Sequence, residues 1–517
     1  MLSRMHPRGE RSRPGPRRQS GSARCRSDDR RRRLVAWVVA CACGTVGWPA
    51  AAQAQSEVLA ARRFESGVAF ARDGSHDQAL IDFTAVVDLY PDSAVADNAL
   101  LEISRHYLDV LRDGPRARAA AERIVNNSSY SQGDAALGAY IVLGRTMMMT
   151  ARSETERMDA LANFQRGLRL HPDSNAVPEG MYYVAAAYER LNQPDAAFEA
   201  YQQVVTAYPQ NAWAIRARIG AGTMRAFQED PIGAMEEFQR VRQEFPEWPE
   251  AAEALARTTI LFRLHIRPAG ATYSVSRAGP ARRIDRRVIA LATDTAGNVV
   301  FATDRGVSSL AGGVRLPRVD RPRGLAVDRA GNVAVIARGR LAGETGPALV
   351  AAVPDDGELR PLTEIDAAVE LSSGEWLVAD RDQNAVLRFR DSTYMNRYAT
   401  VRARRLAVDS EDRVVMLDDD ERISVYADGR EIAQIPTRSG AYRIDNPVDV
   451  AFDALGHLYL LDREGVYVFG RDFRLLTMFT RDSSAAVPFD RATALTVDAY
   501  GRLFVADDRD DRIYVLQ

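Results

Sequence analysis

The residues best suited to chemistry in this sequence are two clusters of aspartate. One runs from Asp418 to Asp420, and the other lies between Asp507 and Asp511. Carboxylates grouped this closely are ligands that Ca²⁺ favours. Each cluster, however, directly follows a short apolar segment that predicts a strand, and aspartate in such turns accepts backbone N–H bonds and orders the loop. We therefore interpret both clusters as structural and predict no metal site.

A second set of aspartates recurs at matching positions of a repeated sequence segment. Each ends an apolar segment just before a turn, and the set is Asp294, Asp328, Asp409, Asp453 and Asp498. We predict that these side chains cap the turns. His457 follows one of the turns, and we expect it at the surface or between neighbouring repeats.

Other signals of catalysis are missing from the sequence. It contains no phosphate-binding Gly-x4-Gly-Lys-Ser/Thr loop, no His-Glu-x-x-His, no Gly-x-Ser-x-Gly and no Cys-x-x-Cys. Beyond residue 54 the histidines are His76, His106, His171, His265 and His457. Since only His457 lies in the repeated β segments, a multi-histidine metal site is not expected there. We predict no catalytic residue and no cofactor.

The first 54 residues have the pattern of an export signal. Arg30 to Arg33 precede an uncharged apolar stretch, which ends in the small-x-small sequence of residues 52–54. We expect cleavage near Ala54. Two alternatives remain: the sequence up to Cys41 resembles a bacterial lipobox, which would place a lipid on Cys41, and residues 34–54 are long enough to act as an uncleaved anchor.

Removal of this leader changes the charge and the thiol content. The leader holds 12 arginines and three acidic residues, whereas the whole chain has a net charge of −2. All three cysteines (Cys25, Cys41 and Cys43) also lie in it, so the mature chain would have no disulfide. An acidic exported protein is a poor binder of nucleic acid, and we expect no such partner.

Residues 268–517 repeat a unit of short strands. The clearest copy spans Asn446 to Phe469, with strands predicted at Val448–Phe452, Leu458–Leu461 and Val466–Phe469. Six copies share a first turn, at Gly297, Gly331, Gly374, Asp412, Gly456 and Gly501. Their spacing of 34 to 45 residues is that of propeller blades. Glycine suits the turn because it tolerates positive φ, and Asp412 is an acceptable substitute.

These units resemble NHL repeats. The strongest matches are 321–328, RPRGLAVD, and 505–515, VADDRDDRIYV. The resemblance implies a six-bladed β-propeller. The second unit departs from the pattern at Arg338, where aspartate is usual, and has an insertion around residues 339–346, so its outer strands are not predicted. The sequence stops after the third strand of unit six, so we expect residues 271–276 or 282–287 to supply a closing strand.

Residues 55–267 are rich in alanine and have helical periodicity. Predicted helices end before Pro91, Pro172, Pro209 and Pro246, because proline lacks the N–H that a helix needs. Small residues and an aromatic recur in register with these prolines, for example Gly67 with Phe83 and Gly222 with Phe238. We expect five helix pairs over 57–245 and a last helix over 250–265 that covers the end of the array.

This half resembles the tetratricopeptide repeat, and Pro91–Leu100 is similar to the repeats of bacterial envelope proteins. The resemblance implies a superhelix whose concave groove binds protein or peptide. Its pattern places Tyr182, Glu189 and Arg190 on the inner face of the fourth pair, and Arg216 and Phe227 on that of the fifth. These five are our predicted partner-binding residues.

Taken together, the sequence predicts three parts: a leader (1–54), an all-α tetratricopeptide-like array (55–267) and an all-β six-bladed propeller (268–517). The preferred function is a non-catalytic scaffold of the bacterial envelope, periplasmic or associated with the outer membrane. The array would hold an envelope protein or peptide, and the propeller another partner or a glycan. Membrane association would come only from the leader or from a lipid on Cys41.

The alternative is a propeller enzyme of the lactonase or lyase kind with a metal in its axial channel. Three or more Asp, Glu, Asn or His side chains converging in that channel would favour the enzyme.

Overall fold

A computed structural model describes most of the chain beyond residue 47. The residues that it describes are 48–151, 153–267, 273–274, 282–284, 286–294, 297–312, 319, 321–329, 331–342, 352–355, 358–390, 393–481 and 487–517. The predicted cleavage site at 52–54 falls in the first helix. Residues 1–47 of the leader, which include Cys25, Cys41 and Cys43, lie outside the described residues.

The described part of residues 48–267 forms a helical array. Its helices are α1 (Trp48–Arg72), α2 (His76–Leu89), α3 (Ala96–Asp109), α4 (Gly114–Asn126), α5 (Ala136–Thr150), α6 (Glu154–Leu170), α7 (Val177–Arg190), α8 (Pro194–Ala207), α9 (Ala212–Phe227), α10 (Pro231–Glu244) and α11 (Pro249–Leu261). A π-helical turn, Phe262–Ile266, follows α11. The five predicted pairs and the final helix are confirmed.

The helix ends follow from the sequence. Helices α2, α6, α8 and α10 each stop two residues before the predicted prolines. Several helices begin with a side-chain cap: Asp113 accepts a hydrogen bond from the amide of Arg116, and Asp230 accepts one from Gly233. Among the described helices none is both long and apolar enough to span a membrane.

Close packing within the first, third and fifth pairs depends on a glycine facing an aromatic ring. A methyl group at Gly222 of α9 would lie 2.6 Å from the ring of Phe238 on α10, and one at Gly67 would lie 2.7 Å from Phe83. Both rings are buried. The first helices α7, α9 and α11 also contact one another in sequence order, which stacks the pairs into a superhelix.

The second half consists of short antiparallel sheets. Their strands are β1 (Arg282–Arg283), β2 (Val288–Thr293), β3 (Val299–Thr303), β4 (Gly306–Ser309), β5 (Gly324–Val327), β6 (Val333–Ala337), β7 (Arg340–Ala342), β8 (Ala352–Asp355), β9 (Glu358–Pro361), β10 (Ile365–Glu370), β11 (Glu375–Asp380), β12 (Ala385–Arg390), β13 (Thr393–Ala399), β14 (Ala403–Val408), β15 (Val414–Asp418), β16 (Ile423–Ala427), β17 (Arg430–Ile435), β18 (Pro447–Phe452), β19 (Leu458–Asp462), β20 (Gly465–Phe469), β21 (Leu475–Thr480), β22 (Ala492–Val497), β23 (Leu503–Asp507) and β24 (Arg512–Leu516).

Six of the sheets form the blades of a closed ring. Their inner strands β2, β5, β10, β14, β18 and β22 each contact the next, and β22 contacts β2. Apolar residues on both faces of the second strands are buried, so each sheet is covered by its neighbours. The six-bladed propeller is thus confirmed. Blade two has three described strands, and the separate hairpin β8–β9 follows it.

The ring is closed by the segment that leaves the array. Strand β1 pairs antiparallel with β24 and becomes the fourth strand of blade six. Farther along the same edge, Ser274 and Gln517 exchange backbone hydrogen bonds of 3.0 and 2.9 Å. The described parts of both predicted closing segments therefore contact the last blade.

The glycine–aromatic packing makes a testable prediction. We expect Gly222→Ala to lower the free energy of unfolding by about 1–3 kcal/mol, because the buried ring of Phe238 must move. Urea unfolding followed by circular dichroism measures this loss. Gly114→Ala is the control, since no atom lies within 4 Å of a methyl group there. Equal stability of the two variants would contradict this packing.

Candidate functional site

The recurring aspartates cap the first turns, as predicted. Asp294 and Asp328 each accept the amide of the residue four positions later at 2.7 Å, and Asp498 accepts that of Arg502 at 2.8 Å. In the second cluster, Asp507 accepts the amides of Arg491 and Arg509 at 2.7 and 2.9 Å. Within the described residues no three His, Cys, Asp or Glu side chains are placed to share a metal ion.

Two carboxylates line the axial channel in the described part of the propeller, and each faces an arginine. Asp366 receives two hydrogen bonds from Arg381, at 2.8 and 2.7 Å. Asp449 lies 3.3 Å from Nε of Arg405 and accepts the amide of Leu495 at 2.9 Å. Burial raises the pKa of both carboxyls, and the arginines oppose the increase. Alanine and other apolar side chains make up most of the remaining lining of this 270 Å³ cavity.

The array lies against the face of the propeller that carries the first turns. We call this contact the seam. At its centre the guanidinium of Arg471 sits 3.2 Å from the ring centroid of Phe227, at the end of α9, and lies 2.7 Å from Glu411. A guanidinium over an aromatic face is an attractive cation–π contact. Arg190, at the end of α7, lies 4.0 Å from Asp412.

Asp412 connects several turns at the seam. It accepts hydrogen bonds at 2.7 Å from Arg329 of blade two and from the amide of Ser372 of blade three. The Ser372 hydroxyl donates to its second oxygen. Asp412 has φ of 62°, where the equivalent residues of the other blades are glycine. Its side chain therefore links three blades at a position where the backbone alone would favour glycine.

The π-helical turn forms the other end of the seam. Arg263 donates hydrogen bonds to the backbone carbonyls of Tyr500 and Gly501, and its guanidinium lies 4.8 Å from the ring centroid of Tyr273. Leu455, from the first turn of blade five, is buried in the same apolar cluster as Ile260 of α11. These contacts fix the last helix to blades five and six.

His457 is a buried residue, 6% exposed, rather than a surface one. Its Nδ1 lies 2.8 Å from Asp453, and its ring centroid lies 5.8 Å from that of His265. Although burial opposes ionisation, the contacts from His457 lower the pKa of Asp453. His457 therefore sits between the blade and the array, an environment that sequence spacing did not indicate.

Three of the five predicted partner-binding residues are engaged within the array. The ring of Tyr182 packs on Tyr201 and Trp213, and burial raises the pKa of its hydroxyl. Glu189 accepts a 2.8 Å hydrogen bond from Tyr201. Arg216 lies 3.1 Å from Glu250.

The other two predicted residues, Arg190 and Phe227, face the propeller. The structure thus brings these two to the seam and keeps the other three in the helical packing. Their role in partner binding stays a prediction.

Sequence analysis missed a cavity of about 220 Å³ at the seam. Among its lining residues are Met148, Arg157, Arg190, Ser372, Arg388, Glu411, Asp412 and Arg413. Nε of Arg157 and Nη2 of Arg413 are buried here without a hydrogen-bond partner among the described residues. No sequence signal could have found this cavity, because its walls come from the array and from two blades.

Comparison with known proteins supports the repeat assignment. Residues 179–211, which cover most of α7 and all of α8, match the family model described as "Tetratricopeptide repeat". No curated protein matches the chain.

Solved structures are similar to one half of the chain or the other. A thermophilic TPR protein from Thermus thermophilus is 16% identical over 38% of this chain and 98% of its own, with a TM-score of 0.33. A gluconolactonase from Xanthomonas campestris is 17% identical over 48% and 98%, with a TM-score of 0.34. A virginiamycin B lyase from Staphylococcus aureus is 14% identical over 45% and 81%, with a TM-score of 0.32.

A glycine substitution separates the side-chain hydrogen bonds of Asp412 from its positive φ. Glycine would relieve the positive φ but remove the links to Arg329 and Ser372, so we expect Asp412→Gly to lower the urea midpoint. The control is Asp428→Gly, since Asp428 also has positive φ (46°) in a turn of the same blade. An unchanged or raised midpoint for Asp412→Gly would show that the residue acts only as a turn former.

The Arg471–Phe227 contact makes a separate prediction. We expect Arg471→Ala to speed hydrogen–deuterium exchange at the end of α9 and in the turn at 411–413, because the array loses its central contact with blade five. The control is Arg474→Ala, whose side chain is 86% exposed. Equal exchange in both variants would mean that the seam does not depend on Arg471.

Proposed function

We propose that this protein is a non-catalytic scaffold of the bacterial envelope. The array binds a protein partner, and the propeller is a rigid second module. Tetratricopeptide repeats commonly present extended surfaces to other proteins, and here the repeats are fixed to a ring of six blades. Both halves are built from stacked units with broad outer faces.

One observation carries the proposal: among the described residues, the array ends in a groove between α10 and α11. In the five preceding pairs, a second helix packs beside each first helix. After α11 the chain instead makes the π-helical turn and leaves for the propeller. The groove is lined by α10, α11 and Phe262, on the side of α11 where a sixth pair would place its second helix, and it has a volume of about 680 Å³.

The lining of this groove is suited to a helix with an apolar face. Ile232 is 60% exposed, Leu255 is 37% exposed and Phe262 is 46% exposed. Polar and charged side chains such as Gln239 and Arg242 also line it. Large apolar groups on an exposed surface are typical of protein–protein contacts. An amphipathic helix binds such a groove through apolar side chains that recur at helical spacing.

Binding is favoured over metal-dependent catalysis by the axial channel. Its carboxylates, Asp366 and Asp449, already face Arg381 and Arg405. A divalent ion would have to displace or compete with these guanidinium groups. The lactonase or lyase alternative therefore receives no support from the channel's donor set.

Export to the envelope is supported by the leader. Its arginines, apolar stretch and small-x-small ending have the order of a secretory signal. The proposed location is the periplasm or the periplasmic side of the outer membrane. Fractionation of the producing bacterium tests this part of the proposal, and recovery of the protein in the cytoplasm would contradict it.

Groove binding predicts a position-specific cross-link. A photoreactive residue at Leu255 should capture a protein in the living cell, and Ile232→Asp should reduce that product at least about tenfold, because a carboxylate would be buried against the partner's apolar face. The purified partner should then bind the wild type in solution.

The matched control is Ile81→Asp. Ile81 is 56% exposed on α2, so it tests the same substitution far from the groove. If Ile81→Asp reduces the cross-link as much as Ile232→Asp, or if Leu255 captures no protein, the groove is not the binding surface.

A further inference from the structure

A large cavity of the propeller lies on the face away from the array. It has a volume of about 740 Å³ and lies where the inner strands β2, β14, β18 and β22 begin. The array contacts the other ends of the inner strands, at the first turns. This cavity and the seam are therefore on opposite faces of the propeller.

Arginine dominates the wall of this cavity. Four blades contribute to the set, which is Arg287, Arg404, Arg405, Arg463 and Arg491. We call this cavity the arginine mouth. Its acidic residues are fewer, and they are Asp304, Glu421 and Asp508. In a chain with an overall negative charge, such a concentration of guanidinium groups is a local feature.

The acidic residues do not neutralise all of these arginines. Asp508 is shared, at 2.9 Å from Arg491 and 3.7 Å from Arg287. Asp304 pairs instead with Arg286, which does not line the cavity. Arg463 forms no ion pair with any described residue. Arg405 is paired with Asp449 of the axial channel. The other four arginines still outnumber the three acidic lining residues, so the arginine mouth keeps an excess of positive charge.

Arg404 is a half-buried residue of the arginine mouth. Its Nη2 donates to the carbonyl of Pro447 at 2.6 Å, but its Nε is buried without an acceptor among the described residues. Burial and the adjacent Arg405 lower its pKa. A half-buried guanidinium with an unsatisfied N–H donor lowers the stability of the fold unless another group accepts a hydrogen bond from it.

A carboxylate or phosphate supplies what these residues lack. Guanidinium groups present paired donors that fit the two oxygens of such anions. The volume lies within the roughly 300–1,000 Å³ usual for small-molecule sites. An extended polyanion such as nucleic acid is disfavoured by the acidic charge of the rest of the chain.

We propose that the arginine mouth binds a compact organic anion that carries two or more carboxylate or phosphate groups. Arg404, whose Nε has no acceptor among the described residues, holds one anionic group, and Arg463, which is exposed and forms no ion pair with a described residue, holds another. This binding is independent of the helix groove, and it gives the scaffold a second ligand of different chemistry.

Isothermal titration at low salt tests the site with three probes. These are digalacturonate for carboxylates, pyrophosphate for phosphates and neutral chitobiose as a control. We expect one or both anions to bind, with affinity that falls as salt rises, and chitobiose not to bind. Preference for one anion identifies the group that the site recognises. Binding of neither anion, or equal binding of chitobiose, would overturn the proposal.

Variants locate the binding. Arg404→Gln should weaken it by about tenfold or more, since it removes a charged hydrogen-bond donor. Arg463→Gln should weaken it without affecting folding, because that side chain is exposed and forms no ion pair with a described residue. Arg474→Gln, on the array-facing side, should have no effect. Unchanged affinity in both Arg404→Gln and Arg463→Gln would overturn the assignment.

Discussion

Closure of the propeller ring is the constraint on which the rest of the structure depends. No single blade can bury both of its apolar faces, so the blades are stable only as a ring. The strand that completes blade six comes from the segment that leaves the array, through Ser274 and β1. Closing the ring therefore also fixes where the array must lie.

Tyr273 shows how closely closure of the ring is linked to the position of the array. Its ring is buried, its hydroxyl donates to the carbonyl of Gly501, and the guanidinium of Arg263 lies over its face. One residue of the connection thus contacts the last turn of the array and the first turn of blade six. Because these contacts are buried and directional, the two halves are positioned by more than a flexible linker.

Because the array and the propeller are held together, some surfaces of the molecule are used in the contact between them and others are not. The concave side of the array, where repeats of this kind often bind peptides, is partly used to hold the propeller through Arg190 and Phe227. The groove beside α11 and the arginine mouth remain open, and they differ in chemistry. One presents exposed apolar side chains between α10 and α11, whereas the other is lined by arginines. A scaffold with two unlike and well separated surfaces can hold two ligands at once.

The sequence by itself determined the repeated units. Prolines set the helix ends, small residues opposite aromatics set the close helix pairs, and the glycine turns set six blades, because each of these effects acts within a few residues along the chain. What it did not determine are the contacts between units distant in sequence. Asp412 was expected only as a tolerated turn residue, and His457 was expected at the surface or between neighbouring repeats. The five arginines of the mouth are scattered over more than two hundred positions. Only the closed ring brings these residues together, since their neighbours come from other blades or from the array, and no local spacing records that proximity.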